Sequence, residues 1–586
     1  MPRFLRITII LLPAAAFVAA AVPYLHRKWD DPAPVGAHTR GYTGTLVVVA
    51  VFDQLRGDFP DRWAHLYSRE GFERLKREGV FYRSAHLPYA CSSTAPGHAS
   101  IGTGVTPSIH GIIENKWYDR KRRTEVTAIT GERPTVRVPA HASAPNDTGF
   151  APDQLLVEGI GDYLKQTRPE ARVFSLALKD RSAVLMGGKR PDGVYCFDTR
   201  SGEFHTSSYY RDLPHSWVRQ FNESGVADRW FNTQWERLLK EVDCIAAAGL
   251  DDAPGETRYE KDTKTGGLVG YGPTFPHPMN IDGQPKPNVR YYDRVEASPF
   301  GNVLLWEFAK TCIEAEQLGA RGANDLLFLG FSSNDVIGHK WGPDSHEVLD
   351  VTVRTDRLIA EMLAHLDATL GVGNYTLIVT ADHGICPLPE VSVQMHPEAA
   401  RFDPRAELGP EGLGLALNQT FGVIDPTGSG WFEYRDREYT PHVVLNRRAI
   451  TAHGADPDAV AEYAAKWVGS RPHLHSALPQ AVLAGTASAD PLVRKAQLGY
   501  HPDRCGDVYL IPAPYCMATG STGTTHGTPH PYDTHVPVMA IGANVPTLGH
   551  RDTPISSLIV APIICHALSI TPPDRFAERL PTGWER

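Results

Sequence analysis

Short runs of consecutive apolar residues recur along the chain, and each ends near a polar residue able to do chemistry. Thr45 to Phe52 reads TLVVVAVF and leads into Asp53. Arg172 to Leu178 (RVFSLAL) leads into Lys179, Asp325 to Ser332 (DLLFLGFS) into the segment holding Asp335, and Tyr375 to Ala381 (YTLIVTA) into Asp382. Val536 to Gly542 (VPVMAIG) has the same character. Continuous rather than alternating hydrophobicity predicts strands of a parallel sheet buried on both faces. Between the third and fourth runs, Leu349, Val353, Ile359, Leu363 and Leu366 predict a long helix over 346–370. Strand, helix, strand is the order of an α/β domain. Ligands of open α/β sheets sit beyond the carboxyl ends of the strands, where Asp53, Lys179, Asp335 and Asp382 fall. The stretches from about 190 to 300 and from about 386 to 500 are rich in Gly, Pro and polar residues and lack sheet periodicity. They read as insertions in one catalytic unit spanning 44–586.

The amino terminus has a different pattern. Arg3 and Arg6 precede an uncharged apolar run from Ile7 to Leu25. This predicts that 1–28 is a signal peptide or an N-terminal anchor. Ala19, Ala20 and Ala21 offer small residues for cleavage, whereas His26, Arg27 and Lys28 suit retention. Both imply export, to the periplasm or beyond the cell, with membrane association only if the segment stays. Residues 29–43, with Pro32 and Pro34, read as a linker.

Composition narrows the classes. Hydrophobic residues are 42% and charged residues 21%, as in a folded globular protein. A net charge of −9 argues against a stable nucleic-acid partner. A mean hydropathy of −0.27 argues against a multi-span membrane protein. The eight cysteines form no CxxC pair, which argues against a cysteine-based zinc site. In an oxidising compartment Cys505 and Cys516 could pair locally; the alternative is free buried thiols.

Carboxylates and imidazoles gather at metal-ligand spacing. Asp335 and His339, four apart after a strand, can face one cation. Asp382 and His383 end another strand, Asp53 ends the first, and His526 lies in a Gly-flanked loop where His530 and His535 are rivals. Such a mixed nitrogen and oxygen set suits zinc. The nucleophile candidate lies in Cys91-Ser92-Ser93-Thr94-Ala95-Pro96-Gly97-His98. A hydroxyl there can sit at a helix N-terminus, where N–H groups and the helix dipole favour an anion. Read locally, the same segment equally serves as an ordinary N-cap.

VFDQLRGD (51–58), STAPGHASIGTG (93–104), HGIIENKWYDR (110–120), LKDR (178–181), SSNDVIGH (332–339), TADHG (380–384) and THGTP (525–529) occur in that order. Together they resemble the alkaline phosphatase superfamily, in the branch shared with nucleotide pyrophosphatases and type I phosphodiesterases. The nearest likeness is to exported, phosphate-irrepressible alkaline phosphatases with a threonine nucleophile. The resemblance implies a central, mostly parallel sheet flanked by helices, with inserted cap segments. It implies two zinc ions, one held by Asp335, His339 and His526 and the other by Asp53, Asp382, His383 and the Thr94 oxygen. It implies a covalent phosphothreonine at Thr94 and small-molecule phosphate esters as substrates. Asn115 with Lys179 and Arg181 would bind the phosphoryl oxygens and favour monoesters, since a dianion presents more charge to cationic donors. The alternatives are a phosphodiesterase or nucleotide pyrophosphatase on the same scaffold, a phosphoglycerate mutase-like enzyme, which the export signal disfavours, and a silent binding protein. The silent protein is disfavoured because all seven metal positions carry suitable residues.

Overall fold

The computed structural model describes residues 44–138, 148–261, 268–404, 408–434, 441–518 and 520–584. The expected leader and linker lie outside the described residues. Among the described residues no helix is long and apolar enough to cross a membrane.

One large sheet organises the chain. Its strands are β1 (Leu46–Phe52), β2 (Val80–His86), β3 (Arg137–Val138), β4 (Val173–Ala177), β5 (Gly193–Asp198), β6 (Glu203–Ser207), β7 (Asp325–Phe331), β8 (Tyr375–Thr380), β9 (His535–Gly542), β10 (Gly549–Arg551) and β11 (Ile555–Ser556). Across the sheet the order is β10-β2-β9-β8-β1-β7-β4-β5-β6-β3, with β11 also pairing β2. The central strands β8, β1, β7, β4 and β5 are mutually parallel. Their ends are in register: Val51 lies opposite Gly330 and Thr380, and Gly330 opposite Ala177.

The uninterrupted apolar runs are explained by two buried faces. Leu46, Val48, Ala50 and Phe52 of β1 pack into one layer with residues of helices α3 (Pro299–Glu316) and α5 (His346–Leu370), including Trp306 and Leu349. Val47, Val49 and Val51 point the other way, onto a layer containing Ile160, Ile563 and Ile564. Each fully buried Val or Leu contributes roughly 1.5–3 kcal/mol, so neither face of β1 tolerates a polar residue. Helix α5 begins at the Ser345 hydroxyl, which accepts the Val348 N–H at 3.1 Å, and Gly371 ends it.

Two expectations are corrected and one open alternative is decided. The Val536–Gly542 run forms β9, but it pairs antiparallel with β8 and β2. Burial on both faces produces the same composition in either direction, so the run alone does not set its sense. The stretch from about 190 opens with β5 and β6, which extend the main sheet. The Cys505–Cys516 pairing does not occur: all eight cysteines are free and buried. Cys505 packs with Tyr500 and Ile511, whereas Cys516 belongs to a separate apolar cluster and donates to the Glu398 carbonyl at 3.2 Å. That second cluster backs a four-stranded sheet, Phe432–Tyr434, His442–Leu445, Val508–Pro512 and Leu474–Pro479 in spatial order.

Candidate metal centre and nucleophile

The carboxyl ends of four neighbouring strands, β8, β1, β7 and β4, deliver the predicted side chains to one place. Asp53 follows β1, and Asp382 and His383 follow β8. Asp335 and His339 lie on α4 (Ser333–Trp341), which β7 feeds. Lys179 ends the β4 segment as α2 (Asp180–Gly187) begins. His526 arrives from a distant loop.

The three imidazoles are oriented alike. His339 Nδ1 lies 2.7 Å from the Thr524 carbonyl, His526 Nδ1 2.8 Å from the Ser92 carbonyl, and His383 Nδ1 2.9 Å from the Gly384 carbonyl. Carbonyls only accept, so each Nδ1 carries a proton and each Nε2 faces inward, the usual orientation of a ligating histidine. His339 Nε2 lies 3.2 Å and His526 Nε2 3.5 Å from Asp335 Oδ1. His383 Nε2 lies 3.3 Å from Asp53 Oδ1 and 3.4 Å from Asp382 Oδ2. Those last three atoms are buried and have no hydrogen-bond partner. Uncompensated buried acceptors facing one another are costly, and a cation between them removes the cost. The donor set fits a divalent metal on chemistry and on spacing. Among the described residues, Asp335, His339 and His526 form one convergent group and Asp53, Asp335 and His383 another. Asp382 joins the second through its contact with His383.

Charge in the site is tightly coupled. Burial alone would raise the Asp335 carboxyl, but His339 and Lys179 hold it well below the usual range. Burial lowers His383, yet Asp382 and Asp53 raise it to about 9, so a proton on Nε2 and a cation between the three groups are competing ways to offset the same charge. His526, buried beside His383, is lowered to about 3. Lys179 is buried, and its Nζ donates to Asp53 Oδ2 at 2.7 Å and to Asp335 Oδ2. An ammonium has three donors, so one remains for an added anion.

Thr94 opens helix α1 (Thr94–Thr103), every residue of which is buried. It is bracketed by the metal-ligand candidates. Two residues before it, the Ser92 carbonyl holds His526. Four after it, His98 Nδ1 donates to the Thr94 carbonyl at 2.8 Å and lies 3.1 Å from Asp382 Oδ2. Gly97 permits this approach, because a Cβ there would fall 2.6 Å from Asp382 Cβ. Asn115 Oδ1 accepts the Ala95 N–H at 2.9 Å, so Asn115 caps the nucleophile helix from outside and its amide N–H groups stay available. Lys179 is the N-cap of α2 and Arg181 lies in its first turn. Its Nε is buried without a partner, and it forms no ion pair among the described residues.

A family model described as type I phosphodiesterase/nucleotide pyrophosphatase matches residues 47–535. The chain belongs to this family, a branch of the alkaline phosphatase superfamily. Alkaline phosphatase PhoV of Synechococcus elongatus is 30% identical to this family member over 536 residues, covering 90% of each chain. A Myroides odoratus protein named a calcium-transporting ATPase is 32% identical over 540 residues, 90% of this chain and 92% of that one. Alkaline phosphatase PafA of Elizabethkingia meningoseptica is 30% identical over 534 residues, 90% and 91% of the two chains. The crystal structure of wild-type PafA matches with a TM-score of 0.80 and 27% identity, covering 91% of this chain and 97% of that one. PafA has also been solved as a variant altered at one threonine, one asparagine, one lysine and one arginine.

The structure adds residues that sequence reasoning missed. Gln54 touches two of the acidic candidates, donating from its backbone to Asp382 and from its side chain to Asp335. His98 borders Asp382. Glu114, buried and raised to about 7 by burial, accepts the Ser93 hydroxyl at 2.9 Å. Their places inside VFDQLRGD, STAPGHASIGTG and HGIIENKWYDR were the one signal for them in the sequence. Cys386, unexplained by sequence, contributes its backbone: its carbonyl accepts the Thr524 hydroxyl at 2.6 Å and ties the β8 exit to the His526 loop. Cys91 packs with Leu87, Tyr89 and Leu558, and burial pushes its thiol up.

Proposed function

We propose that the chain is an exported, zinc-dependent alkaline phosphatase that cleaves phosphate monoesters through a phosphothreonine at Thr94. Its full-length similarity to PhoV and PafA makes it a phosphoric monoester hydrolase. The observation that carries the finer reading is the convergence of unpartnered Asp53 Oδ1, Asp382 Oδ2 and His383 Nε2 beside the Thr94 helix. Asp335, His339 and His526 would hold one zinc ion, and Asp53, Asp382 and His383, with the Thr94 oxygen, the other. Bound zinc supplies positive charge that lowers the pKa of a hydroxyl and neutralises charge on a departing oxygen.

The chain's own residues supply the rest. The amino terminus of α1 presents Thr94 with its dipole favouring an oxyanion. The Thr94 oxygen bonds to phosphorus as the ester P–O bond breaks, the threonine proton passes to solvent, and the leaving oxygen takes a proton from solvent to depart as the alcohol. Water then attacks phosphorus as the Thr94 O–P bond breaks, releasing phosphate, and a water proton restores the Thr94 hydroxyl. Lys179 has a spare N–H, Asn115 carries amide N–H groups, and Arg181 forms no ion pair among the described residues, all suited to nonbridging phosphoryl oxygens. The altered PafA variant supports this set. Its threonine and asparagine are 21 residues apart and its lysine and arginine two apart, the spacings of Thr94 to Asn115 and of Lys179 to Arg181.

The test compares kcat/KM for p-nitrophenyl phosphate and bis-p-nitrophenyl phosphate on zinc-loaded protein. A large monoester preference is expected. A diester preference would keep the fold and the metal groups but assign the chain to diester hydrolysis.

A further inference from the structure

Gln54 follows Asp53 in the first strand's exit, and its backbone is left-handed, with φ of 70°. Few non-glycine residues adopt this conformation. Here it turns the Gln54 N–H towards Asp382 Oδ1, at 3.2 Å, and leaves the side chain running to Asp335. Gln54 Nε2 donates to Asp335 Oδ1 at 2.6 Å. The same oxygen faces His339 Nε2 at 3.2 Å and His526 Nε2 at 3.5 Å. A carboxylate oxygen has two lone-pair directions. The Gln54 amide takes one, so the other is directed at the imidazoles.

The amide has a built seat. Its oxygen lies against Gly338, one turn along α4 from Asp335, and a Cβ at Gly338 would fall on Gln54 Oε1. Gln54 is buried throughout. One side chain therefore engages α4 at both amide ends, while its own N–H engages the β8 exit.

We propose that Gln54 is a positioning residue for the Asp335, His339 and His526 zinc ion, holding Asp335 Oδ1 in its ligating orientation. The proposal rests on the two-zinc reading above. It assigns the Gln54 side chain to one ion, whereas its backbone N–H serves the Asp382 side and survives any substitution except proline. Hydrogen bonds to ligating carboxylates typically tune metal affinity 10–100-fold.

The experiment strips the full chain of metal and titrates zinc against a chromophoric chelator, with Gln54→Met as the variant of equal length lacking the donor. Wild type is expected to bind two zinc ions. Gln54→Met is expected to keep one at wild-type affinity and to bind the other at least about tenfold more weakly, with activity recovered by excess zinc. Gly338→Ala, which displaces the amide from its seat, should weaken the same ion, and it provides the test should Gln54→Met fail to fold. The thermal midpoint of the metal-free variants should match wild type. Two ions at wild-type affinity in both variants would overturn the proposal alone. So would equal weakening of both ions with a lowered metal-free midpoint, which is loss of structure rather than of positioning. A wild type that binds no zinc would overturn the two-zinc reading as well.

Discussion

The two candidate zinc groups stand on unlike supports. Asp53, Asp382 and His383 are fully buried at the ends of adjacent strands whose ladders hold Val51 opposite Thr380. Asp335 and His339 ride on a nine-residue helix, and His526 comes from a loop joined to Thr94's segment through Ser92, whose carbonyl holds His526 Nδ1 and whose hydroxyl donates to the Thr528 carbonyl. The His339 side chain is 34% exposed, while that of His383 is fully buried. The first group inherits its geometry from the backbone of the main sheet. The second depends on a few hydrogen bonds from individual residues, and such regions open locally at lower cost. One group is thus expected to be permanent and the other to be adjustable.

The largest effect falls on the residue between the groups. Thr94→Ala should reduce phosphate release on the order of 10³-fold or more, as expected for loss of a nucleophile. Metal analysis should still find two zinc ions, because the other six ligands remain. Near-normal turnover would remove Thr94 from the reaction. Loss of zinc from both groups would show that they are not independent supports.

Next in size is the cation that joins them. Lys179 donates to Asp53 and Asp335, one carboxylate from each group. Lys179→Ala with Arg181→Ala should lower monoester kcat/KM by about 100-fold, the scale of losing transition-state donors, and diester kcat/KM much less. An equal fall on both substrates would mean that the pair serves the site's architecture rather than the phosphoryl group. Graded chelation is the milder probe. Zinc should leave in two phases, the Asp335, His339 and His526 ion first, followed by spectroscopy of a cobalt-substituted sample. A single phase would erase the distinction.

The same contrast explains what was legible in the sequence. Asp53, Asp382 and His383 follow directly on unbroken Val- and Leu-rich runs, so a sheet buried on both faces predicts where they emerge. Helix α5 was equally legible, since its apolar spacing and the Ser345 cap are local signals. Gln54 was not. Its importance comes from a left-handed backbone and from a contact with Asp335, 281 positions away, and neither leaves a local mark. The direction of β9 was hidden because its connection, not its composition, sets its sense. His526 was separable from His530 and His535 through its Gly527 neighbour and family likeness. In the structure the reason is physical: His530 Nε2 is bonded to the Pro512 carbonyl and His535 Nε2 lies against the Arg83 carbonyl, leaving His526 to face Asp335.

The smallest predicted effect tests the loop support itself. Asp533 is fully buried, and its Oδ2 accepts the Thr528 N–H at 2.9 Å and the Thr528 hydroxyl at 2.6 Å. Those bonds fold back the loop that carries His526. The Asp533 backbone carbonyl separately accepts the Gly384 N–H at 2.7 Å, next to His383. Asp533→Ala removes the first pair of bonds and keeps the second. The expected cost is about 1–3 kcal/mol, the scale for leaving a buried donor unsatisfied, measured by urea unfolding of the metal-free chain. Zinc should then leave the Asp335, His339 and His526 group faster, with the Asp53, Asp382 and His383 group unchanged. Asp533→Asn, which retains an acceptor oxygen, should fall between the two. If Asp533→Ala instead loosened the strand-end ion, the two supports would be one, because the backbone bond from residue 533 to Gly384 is one the substitution does not touch.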